Sequence, residues 1–210
     1  ATPLVDDRDV ILVLPDGTLN ADDERFWDSG AGCCGTGVDD VGYLTQLIDD
    51  AKATYSIDDD RAYLWGYSNG GFMSFTMACA VSEHITAIVS LAGSSFDDPA
   101  DCTPRTEAVS VLQIHGDQDR TINYGPGPYP SAVEMAERHA GFLGCDSSAV
   151  TAGPDLDLIP NVGGAETTVA RRDQGCAEGT SVELWTMRGI GHIANFTNLA
   201  PTVLDWLLAR

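Results

Sequence analysis

The sequence predicts an α/β domain in which a mostly parallel β-sheet is flanked by helices. Short, wholly apolar runs recur along the chain, and such runs are typical of parallel strands covered on both faces. Stretches with helical spacing alternate with these runs, as they do in βαβ folds. The chain has 210 residues, of which 43% are hydrophobic, which suits one core. We therefore expect a single domain over residues 1–210.

The first third of the chain contains one predicted strand and one predicted helix. The strand is Val10–Leu14, a continuous apolar run that ends at the turn residues Pro15-Asp-Gly17. A glycine-rich loop follows at Ser29–Gly37. The helix is predicted from apolar residues that fall on one face at helical spacing, namely Val41, Leu44, Leu47, Ile48 and Ala51.

The alternation continues to the last residues. Further strands are predicted at Ala62–Trp65, Ile85–Leu91, Val109–Ile114 and Val182–Met187. Further helices are predicted at Gly70–Ala80, Ala132–Phe142 and Asn198–Leu208. Thr197 or Asn198 is a suitable N-cap for the last helix. The long polar stretch Gly144–Thr180 is interpreted as an elaborated surface loop.

The charge balance restricts the classes of partner. There are 32 acidic and 11 basic residues, for a formal net charge of -21. A surface of this kind repels nucleic acid and anionic membranes, so we expect neither as a partner. Acidic clusters such as Asp58-Asp59-Asp60 do not match a calcium-loop spacing, and no metal or organic cofactor is expected.

The cysteine content indicates an oxidising compartment. The even number of cysteines, six, and the lack of a C-x-x-C pair favour disulfides over zinc ligation or redox chemistry. They are Cys33, Cys34, Cys79, Cys102, Cys145 and Cys176. We expect three disulfides in a secreted, extracellular protein.

The strongest motif is Gly66-Tyr-Ser-Asn-Gly70, which has the pattern G-x-S-x-G. It lies between a predicted strand and a predicted helix, the context that a nucleophile elbow requires. In such an elbow a strained turn exposes the serine hydroxyl, and small neighbours allow the helix to approach the strand. Ser68 is therefore the candidate nucleophile.

A serine hydroxyl needs a base, and four histidines are available. His84 and His139 are interpreted as surface or packing residues. His115 ends a predicted strand and is expected to support the loop that follows. His192 lies on a glycine-rich loop between the last strand and the last helix, after the serine in the chain, and is the predicted base.

The acid that orients the base is expected on the loop after the predicted strand Val109–Ile114. Asp117 and Asp119 both lie there, in the sequence His115-Gly-Asp-Gln-Asp119. Their task would be to hold the imidazole tautomer and to stabilise the imidazolium. Spacing alone does not separate the two.

Together these motifs resemble the secreted esterases that include feruloyl esterases, acetylxylan esterases and polyhydroxybutyrate-depolymerase-like proteins. The matching segments are Leu14-Pro-Asp-Gly-Thr18, Trp27, Cys33-Cys34, Val38-Asp-Asp-Val-Gly42, Trp65-Gly-Tyr-Ser-Asn-Gly-Gly71, Ile114-His-Gly-Asp-Gln-Asp119, Tyr124 and Gly191-His192. The resemblance implies the α/β-hydrolase fold and a triad of Ser68, Asp119 and His192. It also implies that the amide of Asn69 is one donor of the oxyanion hole.

The same resemblance implies a disulfide pattern. Cys145 is expected to pair with Cys176. Cys33 and Cys34 are expected to pair with Cys79 and Cys102 in some order.

The chain departs from this family at its start, where the usual N-terminal strands are missing. In the family, a strand that ends in a His-Gly motif lies in the sheet between the counterparts of Val10–Leu14 and Ala62–Trp65, and its loop gives the second oxyanion donor. We consider a longer protein with a missing N-terminal segment, a reduced sheet with another donor, and a poorly active relative. An uncovered sheet edge would also allow a homodimer.

The expected activity is hydrolysis of a small-molecule or polymeric ester through an acyl-enzyme, on a feruloyl, acetylxylan or polyester substrate. Trp27, Tyr67 and Tyr124 are candidates for substrate binding, because aromatic faces bury area against aromatic acids and sugar rings. Ordinary loop packing is the alternative role for each. The alternative function is a non-catalytic binding protein that retains the hydrolase fold.

Overall fold

The structure is a computed structural model that describes residues 2–20, 22–102, 107–177 and 179–210. Its first elements are a short helix, α1 (Thr2–Asp6), and two short strands, β1 (Thr18–Leu19) and β2 (Arg25–Phe26). The two strands form an antiparallel pair that is separate from the main sheet. This hairpin leads directly to Trp27 and to the glycine-rich loop.

Among the described residues, four further helices and six further strands follow. The helices are α2 (Asp40–Thr54), α3 (Asn69–Ala80), α4 (Ala132–Phe142) and α5 (Leu199–Leu208). The strands are β3 (Tyr63–Tyr67), β4 (Ala87–Leu91), β5 (Ser110–Gly116), β6 (Thr151–Ala152), β7 (Thr167–Arg172) and β8 (Val182–Met187). Short 3-10 turns cover Ser82–His84 and Pro99–Asp101. Asn198 is the N-cap residue of α5.

The six strands form one sheet in the order β3-β4-β5-β8-β7-β6. The first four run parallel, whereas β7 is antiparallel to β8 and β6 is antiparallel to β7. Every residue of β4 and β5 is buried, as their apolar sequences predict. The prediction of a mostly parallel sheet flanked by helices is confirmed.

Two hydrophobic clusters cover the two faces of the sheet. On one face α5 packs on β4, β5 and β8 through Val203, Leu207 and their neighbours. On the other face α3 and α4 contribute Phe75, Met135 and Ala136 to the second cluster. Within the described ranges, no helix is both long and apolar enough to cross a membrane.

The predicted strand at Val10–Leu14 is wrong, because these residues form neither helix nor strand. Ile11, Leu12, Val13 and Leu14 are all exposed, and Leu14 is 79% exposed. A strand needs a partner for its backbone groups. In the part of the chain that the structure describes, no strand pairs with the outer edge of β3, so Val10–Leu14 has no ladder to join.

The interpretation of Gly144–Thr180 as an elaborated surface loop is also wrong where β6 and β7 lie within it. The charged residues of β7 give its sequence the composition of a surface loop. Arg171 is paired with the buried Glu183 of β8 at 2.8 Å, so the charge belongs to a cross-strand pair and does not mark a solvated loop. Leu156, earlier in this stretch, also bridges to Thr167.

The disulfides agree with the expected pattern in one case and correct it in another. Cys145 and Cys176 are bonded, as expected. Cys79 is bonded to Cys102, and the adjacent residues Cys33 and Cys34 are bonded to each other. The predicted pairing of Cys33 and Cys34 with the other two is therefore wrong. Cys79 at the end of α3 lies 4.9 Å from Cys102 between Cα atoms, within disulfide reach, which leaves the two adjacent cysteines to each other.

Candidate active site

Ser68 lies in the sharp turn between β3 and α3. Its φ of 52° and ψ of -117° are unusual for a residue with a side chain, as a nucleophile elbow requires. A Cβ atom at Gly66 would collide with the carbonyl oxygen of Gly70, so only glycine allows the helix to begin this close to the strand. The predicted elbow geometry is therefore present.

His192 connects Ser68 to a carboxylate. Its Nε2 atom lies 2.9 Å from Ser68 Oγ, and its Nδ1 atom lies 2.8 Å from Asp119 Oδ2. Because a carboxylate only accepts hydrogen bonds, Nδ1 carries the proton and Nε2 is left to accept the serine hydroxyl. This is the tautomer in which an imidazole can take a proton from serine.

Asp119 rather than Asp117 contacts the histidine. The side chain of Asp119 is fully buried, and its Oδ1 accepts hydrogen bonds from the amides of Thr121 and Ile122 at 2.9 and 3.1 Å. Asp117 lies at the surface and accepts a hydrogen bond from the amide of Gly189. The structure thus separates two carboxylates that spacing could not distinguish.

Two buried side chains of β5, which sequence reasoning did not assign to the site, lie behind Asp119. His115 Nε2 is 2.8 Å from the carbonyl oxygen of Ile122 and 3.2 Å from Asp119 Oδ2. His115 Nδ1 is 2.9 Å from the side-chain nitrogen of Gln113. Burial lowers the pKa of His115 below its ordinary value, although the Ile122 carbonyl and Asp119 oppose this shift. Their positions at i and i+2 on one strand face were the available signal.

Asn69 is the first residue of α3, so no carbonyl within the helix can accept its amide hydrogen. Its side chain is held by the backbone of Trp27: the Trp27 amide donates to Oδ1 at 2.6 Å, and Nδ2 donates to the Trp27 carbonyl at 2.9 Å. This double hydrogen bond links the β1–β2 hairpin to the elbow.

The loop after Trp27 is organised by the buried carboxylate of Asp28. It accepts hydrogen bonds from the backbone amides of Gly30, Thr36, Gly37 and Val38. The amide of Asp28 donates to the buried carboxylate of Asp40 at 2.6 Å. Burial alone raises the pKa of Asp28, but the hydrogen bonds from Thr36, Gly30 and Gly37 outweigh it, so the pKa is below its ordinary value. The sequence contains no pattern that indicates this role for Asp28, which directly precedes the glycine-rich loop.

Of the three aromatic candidates, Tyr67 lies at the site itself. Its ring centroid is 5.3 Å from that of His192, and its hydroxyl donates to the His192 carbonyl at 3.0 Å. Burial, with a further contribution from the charge of Asp119, raises the pKa of Tyr67. The neighbouring Ile193, which the sequence reasoning did not single out, is 82% exposed.

Trp27 and Tyr124 are held differently. Trp27 stacks with Tyr43 at 6.5 Å between ring centroids and lies beside the start of α3. Tyr124 packs against the cluster formed by α3 and α4, and its hydroxyl lies 2.9 Å from Thr186 Oγ1. These contacts give Tyr124 a packing role, and substrate binding by any of the three aromatic residues stays a prediction.

The other two histidines lie outside this constellation. His84 is 3.5 Å from Asp49 on the surface. His139 is buried in α4, near Cys79 and Cys102. Since both sulfur atoms are in a disulfide, that cluster presents no thiolate for a metal ion.

Comparisons with known proteins place the chain among proteins described as esterases. A family model described as phospholipase/carboxylesterase matches residues 38–134. The chain is 26% identical over 190 residues to feruloyl esterase D of Neurospora crassa, which covers 90% of this chain and 56% of that protein. It is 27% identical over 120 residues to a probable feruloyl esterase C of Aspergillus niger, which covers 57% of this chain and 42% of that protein.

A solved structure shows the same fold. The acetyl xylan esterase from Aspergillus awamori superposes with a TM-score of 0.63 at 17% identity, over 89% of this chain and 74% of that one. At this identity the likeness concerns the fold alone, which is that of the α/β-hydrolases. The chain spans about half the length of the curated relatives it matches.

Proposed function

We propose that this protein, a relative of the feruloyl and acetylxylan esterases with the α/β-hydrolase fold, hydrolyses carboxylic esters with Ser68 as its nucleophile. The observation that carries the proposal is the continuous chain of hydrogen-bond distances from Ser68 Oγ through His192 to Asp119. Retention of a fold for binding alone would not require these three side chains to meet at 2.9 and 2.8 Å.

The geometry supports a two-step mechanism. Ser68 Oγ attacks the ester carbonyl while its proton passes to His192 Nε2, and Asp119 stabilises the imidazolium that forms. The amide of Asn69 donates to the developing oxyanion. His192 then returns the proton to the leaving alcohol, which departs and leaves an acyl group on Ser68. Water, activated by His192, releases the acid and regenerates the serine.

The substrate class follows from the relatives. The relatives are named for feruloyl and acetylxylan esters, which this mechanism would cleave; a polyester substrate rests on the sequence motifs alone. Tyr67 and Ile193 flank His192 with exposed apolar surface, which favours an aromatic or aliphatic acyl group over a charged one. The formal net charge of -21 adds to this preference by repelling anionic esters.

We also propose that the protein is secreted. All six cysteines are in disulfides, which persist outside the reducing cytosol. Its partner would then be an extracellular ester.

Hydrolysis of p-nitrophenyl acetate and methyl ferulate tests the proposal. We expect turnover by the 210-residue chain and none above background by Ser68→Ala. Asp119→Asn should lower kcat by roughly 10³–10⁴-fold, because it favours the wrong tautomer of His192. Asp117→Asn is the matched control, since this carboxylate contacts Gly189 and not His192, and it should retain most of the activity.

The alternative function, a binding protein that retains the fold, makes the opposite prediction. It requires that neither ester is turned over and that Ser68→Ala behaves as the parent protein does. Equal loss of activity in the Asp117→Asn and Asp119→Asn variants would instead contradict the assignment of the acid.

A further inference from the structure

The carboxylate of Asp119 is surrounded by hydrogen-bond donors from three directions. Oδ1 accepts from the two amides of the following turn, Thr121 and Ile122. Oδ2 accepts from His192 at 2.8 Å and also lies 3.2 Å from His115 Nε2. The same carboxylate oxygen therefore faces two histidines, of which only His192 reaches the nucleophile.

The protonation of His115 follows from its partners. Ile122 presents a carbonyl oxygen, which only accepts, so Nε2 at 2.8 Å must carry a hydrogen. On the other side, the side-chain nitrogen of Gln113 lies 2.9 Å from the carbonyl oxygen of Gly93 and 2.9 Å from His115 Nδ1. Gln113 thus donates one hydrogen to Gly93 and the other to Nδ1, which must be unprotonated.

These contacts keep His115 neutral as well as in one tautomer. A proton on Nδ1 would face the amide hydrogens of Gln113, donor against donor. His115 is 1% exposed, so water cannot relieve this conflict. The other titratable groups that face the ring are Asp119, His192 and Tyr124, whose ring centroid lies 5.9 Å from that of His115. In the described part of the chain, Asp119 is the only carboxylate among them.

We infer that His115, locked by Gln113, is a positioning residue that holds Asp119 Oδ2 in line with His192. The inference rests on the proposed function, because it concerns the residues that hold the acid of the same triad. His115 and Gln113 lie on β5, the central strand between β4 and β8, whereas Asp119 lies on a loop. The Nε2–H group of His115 therefore ties the loop carboxylate of Asp119 and the Ile122 carbonyl to a strand whose residues are all buried.

The contact has an electrostatic consequence with a defined sign. A hydrogen-bond donor at Asp119 Oδ2 partly neutralises the negative charge that would otherwise attract His192 alone. Removal of this donor strengthens the attraction between Asp119 and the imidazolium form of His192. The acidic limb of the kcat/KM profile should consequently move to higher pH, because His192 holds its proton more tightly.

Three variants test this inference. In His115→Leu, which removes the donor, we expect kcat for p-nitrophenyl acetate to fall by roughly tenfold with KM unchanged, and the acidic limb to move upward by about half a pH unit or more. His115→Gln keeps a donor near the position of Nε2 and should restore most of kcat and of the parent profile. His139→Leu is the matched control, because it also removes a fully buried histidine but lies outside the site. It should lose stability without a change in the pH profile.

A measurement on the parent protein covers the case in which His115→Leu does not fold. Nitrogen-15 NMR of the imidazole rings should show His115 with Nε2 protonated and Nδ1 unprotonated from about pH 5 to about pH 8. A protonated Nδ1 in this range would overturn the inference, as would a folded His115→Leu variant with the parent kcat and profile. If the parent protein itself turns over neither ester, the proposed function fails, and that result is distinct from an active parent whose His115→Leu variant is unchanged.

Discussion

Single carboxylates organise this site in two different ways. Asp119 contacts His192, whereas Asp28 lies away from that contact and accepts hydrogen bonds from the amides of the loop between β2 and α2. Trp27 precedes Asp28 in the chain, and its backbone is hydrogen-bonded to the side chain of Asn69. The conformation of the loop around Asp28 therefore helps to fix the turn at Ser68. A carboxylate that accepts several backbone hydrogen bonds is a rigid anchor, and its loss leaves buried amides without acceptors.

Replacement of this anchor should therefore destabilise the protein in a pH-dependent way. In Asp28→Asn, the new amide nitrogen faces backbone donors, and we expect the free energy of unfolding near pH 7 to fall by about 2–3 kcal/mol. The pKa of Asp28 in the folded state lies below its ordinary value of 3.8. Its stabilisation is hence complete above about pH 5 and is lost as pH falls through 3.8 towards the folded value. Urea unfolding at several pH values should show the parent and the variant converging at acid pH.

Asp146→Asn is the control for that experiment. The pKa of Asp146 is also lowered, by hydrogen bonds from Ser148, but this aspartate is exposed. The variant should unfold close to the parent at every pH. A pH-independent difference between parent protein and Asp28→Asn would contradict the assigned role of the Asp28 charge.

The sequence predicts the individual site residues that belong to a recognisable motif. It does not predict those whose role depends on contacts with residues distant in the chain. Ser68 and His192 follow from G-x-S-x-G and from chain order, and the resemblance adds Asp119. The sequence predicts that His115 supports the loop after its strand, and its contact with the Ile122 carbonyl agrees, but the contacts of Gln113 and Asp28 depend on residues distant in the chain. Tyr124 was predicted among the aromatic candidates, but its hydroxyl lies against Thr186.

Among the secondary-structure elements, the junction of β3 and α3 decides the backbone geometry of Ser68, the proposed nucleophile. α3 packs against β3 and β4, and this close approach places Ser68 at the carboxyl end of the sheet, where the loops that carry Asp119 and His192 also begin. Gly66 is the residue that allows it, since a side chain there meets the backbone of Gly70 and Gly71.

Gly66→Ala should therefore displace the helix start. We expect the free energy of unfolding to fall by about 3 kcal/mol and esterase activity to be lost, because the added methyl group meets backbone that cannot rotate away. Gly141→Ala, in α4, adds the same methyl group to open space and should raise the free energy of unfolding by up to about 0.5–1 kcal/mol. Thermal unfolding and p-nitrophenyl acetate turnover measure both effects. Parent-like activity in Gly66→Ala would show that the elbow tolerates a side chain.

The elements that the sequence predicts well are those whose apolar pattern matches their burial. Ala132–Phe142 and Val182–Met187 have the predicted bounds, and α3 begins one residue earlier than predicted. β7 is not predicted because only two of its six residues are apolar and it ends in two arginines. Val10–Leu14 has the composition of a buried strand, but a strand forms only where a neighbour supplies hydrogen bonds, and no local signal reports that.

On the scale of the whole molecule, the outer edge of β3 is the feature that concerns association with other chains. β3 pairs only with β4 in the described structure, and Trp65 on it is 43% exposed. An edge of this kind is a template for another strand. The formal net charge of -21 opposes the approach of a second copy, and salt screens that repulsion.

We therefore expect the 210-residue chain to self-associate through β3. Light scattering across a dilution series should show a mass that rises with protein concentration and with salt. Trp65→Lys should abolish the rise, whereas Tyr55→Lys, which changes an exposed aromatic residue at the end of α2, should not. A monomer at every concentration and salt would contradict this expectation.

The most direct test of the central claim is covalent labelling of the nucleophile. The parent chain is treated with a fluorophosphonate, which reacts with activated serines, and its peptides are analysed by mass spectrometry. We expect one adduct, on the peptide that contains Ser68, no adduct in Ser68→Ala, and slower labelling in Asp119→Asn than in Asp117→Asn. An unlabelled Ser68 in the folded parent chain, or an adduct on another residue, would contradict it.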